Sequence, residues 1–246
     1  MDRDGGGISS MVYRGSATPE TPPLSEGEIY YLWWFIQGSI MVPDIRWRLR
    51  RAWGLCGRHA WGALATEAAF RHGYLFGPAV LYLDIMERAL RGFQVRGALQ
   101  ARRLARRLRA TGPCLMCEMG FNAASRGSAR LELIEEGRDP SYLLSIAAET
   151  GAYWRKAVCG RCVTNGASTR CRPHLVEEAA LGTMRNLAGH RAVVKDIFEH
   201  LRVYKQSFVW GYHGTDTAED RASLISAVGW CSGWHAWIDS FSFTKL

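Results

Sequence analysis

The chain has 246 residues, enough for one large domain or two small ones, each with a real core. With 48% hydrophobic and 22% charged residues it has the makeup of a globular protein, and no uncharged apolar run reaches the length of about 18 residues that a membrane helix needs. The net charge of +8, mostly arginine, permits contact with an acidic partner without naming one. The N-terminal MDRDGGGISS lacks the basic-then-apolar order of a secretory signal, so the expected compartment is the cytoplasm. In that reducing setting seven cysteines point to metal ligands or thiols rather than disulfides.

Residues 1–25 are rich in glycine and proline and predict a flexible N-terminal tail. The remainder, 26–246, predicts a mostly α fold: a helical zinc-binding domain with knuckles at helix ends and a possible sub-boundary near 110. Ser25 and Glu28 form an S-x-x-E capping box before a short buried helix over 29–36. Residues 45–53 predict a basic, aromatic helix, and a second helix runs from Ala60 to about His72. Pro78 suits the first turn of the next, which reaches about Leu90.

Residues 88–109 give the clearest amphipathic pattern. Leu90, Phe93, Gly97, Ala101, Leu104 and Leu108 fall in one sector, and arginines including Arg102, Arg103, Arg106 and Arg107 fill the other. Gly92 and Gly97 weaken this helix as a continuous unit. Another helix is expected from Met119, one from Ser141 to Lys156 behind Asp139-Pro140, one from Leu175, and one over 192–204. Thr217 and Asp220 resemble a second capping box, ahead of a buried helix running from Ala218 to about Asp239.

Four Cys/His pairs share one spacing: Cys56-x-x-His59, Cys114-x-x-Cys117, Cys159-x-x-Cys162 and Cys171-x-x-His174. A two-residue gap lets a turn aim both side chains at one ion. Tetrahedral zinc takes four ligands, so two knuckles make one site and four make two, each of three cysteines and one histidine. Only Cys231 is left over. Local pairing joins Cys159, Cys162, Cys171 and His174, and leaves Cys56 and His59 to Cys114 and Cys117, because short loops close at lower entropic cost. The alternative joins Cys114 and Cys117 to Cys171 and His174.

The segments Gly54-Leu-Cys-Gly-Arg-His59 and Cys171-Arg-Pro-His174 resemble the Gly-Leu-Cys-x-x-His motif of uncharacterised bacterial helical proteins. In that family a Cys-Pro-x-Cys before a helix pairs with the later Cys-x-x-His, and no activity comes with the resemblance. Here Pro22-Pro-Leu-Ser25 stands where that first knuckle belongs. Its loss would leave Cys56 and His59 without partners and would favour the alternative pairing.

Several chemistries are excluded or disfavoured. Pro113-Cys-Leu-Met-Cys117 matches half of a zinc deaminase signature, but the upstream His-x-Glu is missing. No H-E-x-x-H occurs. Cys159-Gly-Arg-Cys162 resembles a thiol-redox motif, yet it follows a helix and precedes more ligands, where a redox pair opens a helix after a strand. Cys231 and His235, one turn apart, are the candidates for an enzyme pocket in the C-terminal region. The leading expectation is a zinc-stabilised binding or regulatory protein with an unknown protein partner and no membrane insertion. The alternatives are a nucleic-acid-binding regulator using the arginine face, and a biosynthetic or thiol-redox enzyme.

Overall fold

The computed structural model describes residues 23–163 and 168–240, and among these no strand occurs. The predicted tail therefore lies outside the described residues up to position 22. Helix α1 (Glu26–Phe35) opens on the expected capping box: Ser25 Oγ accepts from the Glu28 amide and Glu28 Oε2 accepts from the Ser25 amide at 2.7 Å. Helix α2 (Pro43–Ala52) has proline at its first position, where no N–H is needed, and stops at Trp53, a left-handed residue with φ 63°. Helix α3 (Gly57–Phe70) follows directly, with Cys56 as its N-cap.

The segment predicted as one helix over 88–109 is two. Helix α4 (Phe76–Gly92) ends at a glycine against which Leu108 packs so closely that a Cβ would sit 2.8 Å from its side chain. Gly97 at φ 85° lets the chain reverse, and α5 (Gln100–Leu108) folds back onto the end of α4. The arginine stripe survives on α5 alone. No helix starts at Met119: a single turn, α6 (Leu115–Glu118), follows Cys114, and irregular chain leads to α7 (Leu131–Arg138).

The predicted helix 141–156 is interrupted at Thr150, which separates α8 (Ser141–Glu149) from α9 (Gly151–Trp154) and a closing 3-10 turn over Arg155–Ala157. The N-cap of α8 is Pro140 rather than Asp139 as expected, and the Asp139 carboxylate, one residue earlier, accepts from the Ser141 amide at 2.9 Å. Helix α10 (Arg172–Leu181) starts at Cys171, and α11 (Leu187–Gln206) is longer than predicted. Helix α12 (Ala218–Ser232) opens on the Thr217–Asp220 capping box. The last predicted helix is also split, because Gly233 at φ 88° turns the chain into α13 (His235–Ser240).

Helix α11 lies against α4 and α12, α10 against α5, and α3 against α1, α7, α8 and α13. Buried residues from Tyr31 to Trp237 form one contiguous cluster. Trp61, Trp154, Trp234 and Trp237 pack ring to ring, with Trp61 and Trp237 centroids 4.6 Å apart. Each such ring takes roughly 150–250 Å² out of water and dominates its neighbourhood. Trp234 lies directly on Gly229, where any side chain would collide with it. Trp34 stands outside this cluster: it is 55% exposed, while Trp33 stacks on Tyr30.

Two candidate metal centres

The eight knuckle side chains gather into two groups, and within each group the ligand atoms all lie within 4.8 Å of one another. The first comprises Cys56, His59, Cys114 and Cys117. The second comprises Cys159, Cys162, Cys171 and His174. This is the local pairing. Neither the set Cys114, Cys117, Cys171, His174 nor the isolation of Cys56 and His59 is found.

The local reason is shared by three of the knuckles. Cys56, Cys114 and Cys171 are N-cap residues, and His59, Cys117 and His174 stand three residues on, in the first helical turn. N-cap and third-residue side chains converge at a helix start, which is why capping boxes work there. Here two ligands replace the cap and its partner. The fourth knuckle is a tight turn, closed by the Cys162 amide donating to the Cys159 carbonyl at 2.9 Å.

In the first centre His59 Nδ1 lies 3.3, 3.5 and 3.4 Å from the sulfurs of Cys56, Cys114 and Cys117, and the Cys56 and Cys117 sulfurs are 3.7 Å apart. In the second, His174 Nδ1 lies 3.3, 3.5 and 3.3 Å from Cys159, Cys162 and Cys171, and Cys162 and Cys171 are 3.7 Å apart. A disulfide would bring two sulfurs to about 2.05 Å. These cysteines are free thiols that share a centre.

The electrostatics of each triplet suit a cation. Hydrogen bonding from Cys56 pulls the Cys114 thiol down to about 3, and the same contact pushes Cys56 far up. Cys159 is pulled far down by Cys162 and Cys171, while Cys162 is pushed up to about 11 and Cys171 further. Three sulfurs this close share one negative charge when alone. A divalent ion among them is what lets all three ionise.

A residue absent from the predicted site stands behind the first centre. Glu28, fully buried, sits 2.8 Å from His59 Nε2 through Oε1, and it accepts from Arg58 Nε at 2.9 Å and Nη2 at 2.8 Å. Burial alone would raise its carboxyl, but Arg58, His59 and the Ser25 amide hold it well below the usual range. Burial alone would lower His59, yet Cys114 and Glu28 lift it to about 9. The Nε2 proton is thereby held on Glu28, and Nδ1 is left facing the sulfurs. Sequence reasoning saw Glu28 only as half of a capping box, since its meeting with His59 is a contact between α1 and α3. Ser25, which stands where the resemblance implies a knuckle, anchors the same helix. His174 shows no such carboxylate among the described residues, and its ring meets His235 edge-on at 6.0 Å.

Cys231 and His235 do not share a face. Cys231 is fully buried beside Arg172, whose Nε donates to its carbonyl at 3.0 Å, and burial pushes its thiol up to about 12. Gly233 intervenes, and His235 is exposed. A small open pocket of ≈ 80 Å³ lies elsewhere, between Tyr153, Lys156, Asp196, His200 and Glu219. That is well below the roughly 300 Å³ of a small-molecule site. Arg102, Arg103, Arg106 and Arg107 are all exposed along α5. No helix among the described residues is long and apolar enough to cross a membrane. Comparison with protein-family models, with curated proteins and with solved structures finds no match for this chain.

Proposed function

We propose that both centres hold zinc and that the chain is a zinc-stapled helical binding protein, an adaptor or regulator whose metal sites are structural. The carrying observation is the ligand geometry. With Zn–S near 2.3 Å and Zn–N near 2.0 Å, a tetrahedral ion sets its ligands about 3.8 Å apart for two sulfurs and about 3.5 Å for sulfur and nitrogen. The 3.7 Å and 3.3–3.5 Å separations match that cage at both centres. Soft thiolates with one imidazole favour zinc over calcium or magnesium.

Four protein ligands leave no open coordination position for water or substrate, which is the mark of a structural site. The burial of Cys231 removes the other nucleophile from reach of a substrate. The test is elemental analysis of protein purified without added metal, followed by chelation under circular dichroism. Two zinc ions per chain and loss of helicity on chelation support the proposal. A chain that keeps its fold with neither ion bound would sink it.

A further inference from the structure

The strongest charge imbalance outside the metal centres lies on α5 and its flanks. Arg96, Arg102, Arg103, Arg106, Arg107 and Arg109 are all exposed. None of them takes part in a salt bridge among the described residues. The α7 glutamates Glu132, Glu135 and Glu136 form no ion pair with them among the described residues. Arg103 and Arg107 are held in place by donating to the carbonyls of Arg96 and Gln94 at 3.0 and 2.7 Å. Among the described residues the guanidiniums of Arg96, Arg102, Arg106 and Arg109 have no hydrogen-bonded partner. Six like charges on one stretch, with no ion-paired partner among the described residues, attract a polyanion.

Two observations select the polyanion. The apolar side of α5 is spent inside the fold, with Leu104, Ala105 and Leu108 buried, so the helix has no face left to insert into a lipid surface. Beyond Arg109 the chain runs alongside the end of α2: the Thr111 amide donates to the Arg51 carbonyl at 2.9 Å, and Arg51 donates to the Thr111 carbonyl at 2.6 Å. There the Arg51 guanidinium lies 4.5 Å over the ring of Trp47, which is 55% exposed. Trp47 thus stands on the helix that the chain leaving α5 meets; Arg51 covers part of its indole, and the exposed remainder offers a stacking surface for an unpaired base.

We propose that this surface binds single-stranded nucleic acid, with backbone phosphates along α5 and a base on Trp47. The scaffold holds the surface rigidly. Arg172, next to Cys171 of the second centre, donates to the Leu108 carbonyl at 3.1 Å, and Trp53 donates to the Arg109 carbonyl at 3.2 Å. Cys114 of the first centre follows five residues after Arg109. Helix α5 thus ends between the two centres, while the binding itself rests on arginines rather than on metal.

The test is fluorescence anisotropy of the full metal-loaded chain with a labelled 20-nucleotide mixed-sequence single strand and the matching duplex, from 50 to 300 mM salt. Binding of the single strand should weaken with salt at a log–log slope of about −0.7 per phosphate contact. Substituting Arg96, Arg102, Arg106 and Arg109 by Gln should weaken it at least tenfold and flatten that slope by about three, with metal content and helicity unchanged. The double variant R102Q/R106Q gives the same reading, in proportion, if the fourfold one fails to fold. W47A should weaken the single strand about tenfold and the duplex less. Control substitutions Arg191→Gln and Arg202→Gln, on exposed α11 arginines, should change nothing beyond twofold. Four results would overturn the proposal: unchanged binding in the arginine variants, an equal loss in the control, a duplex bound as tightly as the single strand, or binding to phosphatidylserine vesicles with none to oligonucleotides.

Discussion

Glu28 Oε1 lies 2.8 Å from His59 Nε2, across the contact between α1 and α3, and both side chains are buried. The carboxylate fixes which ring nitrogen carries the proton and so which one faces the three sulfurs. Carboxylates behind a metal-binding histidine typically contribute about 10–100-fold in metal affinity. Glu28→Gln should therefore weaken zinc at the first centre by about that factor and leave the second unchanged. Competition against a chromophoric chelator, read as two resolved affinities, checks this; an equal loss at both centres would point to a global defect instead.

The two centres differ in shielding. Cys117 is exposed and Cys56 half-buried, whereas all three cysteines of the second centre are buried. Mild chelation or a thiol-modifying reagent should strip the first centre first, with release of one zinc per chain before the second. Mass spectrometry of the alkylated intermediate should place label on Cys117 and Cys56. Label appearing first on Cys159 or Cys171 would contradict the order.

Glu67 is buried in α3, and burial raises its carboxyl to about 8, against lesser lowering by Arg71 and the Gly77 amide. The folded state then keeps a proton that the unfolded chain releases near pH 4.3. Stability falls wherever the folded state binds more protons, so raising the pH from about 5 to about 8 should cost stability on the order of 2–4 kcal/mol. Glu67→Gln should flatten that dependence and match or exceed the parent at pH 8. Urea unfolding of both chains at pH 5 and pH 8 decides it.

His200 and Asp220 form a second pH-sensitive pair, with Nδ1 and Oδ1 2.7 Å apart, linking α11 to the start of α12. Burial lowers His200, but Asp220, Glu219 and Asp196 outweigh it and raise the imidazole. Burial raises Asp220, but the Thr217 amide and His200 outweigh it and lower the carboxyl. The histidine's contribution is full below about pH 6.5 and is lost as pH rises through its raised value. The aspartate's is present above about pH 3.9 and is lost as pH falls through its lowered value. His200→Gln should thus cost more stability at pH 5.5 than at pH 8.5, a difference that thermal melts at the two pH values would reveal.

Spacing and capping chemistry were legible in the sequence. The four Cys/His knuckles, the Ser25–Glu28 and Thr217–Asp220 boxes and the helical class all depend on residues within three or four positions of each other, and local geometry decides them. The sequence also exposed Gly92 and Gly97 as weak points of the arginine helix. That Leu108 folds back on Gly92, and that Trp234 lands on Gly229 after the turn at Gly233, are contacts between distant surfaces, and no periodicity announces them. The turn at Gly233 ends the last helix early, where its apolar pattern runs on. The knuckle arithmetic left two pairings open, and only the meeting of α3 with α6 chose between them. The same tertiary step brought Glu28 to His59, buried Cys231 away from His235, and left the α5 arginines without an ion-pair partner among the described residues. Each is set by which helix faces pack together, a property of the whole core rather than of any segment.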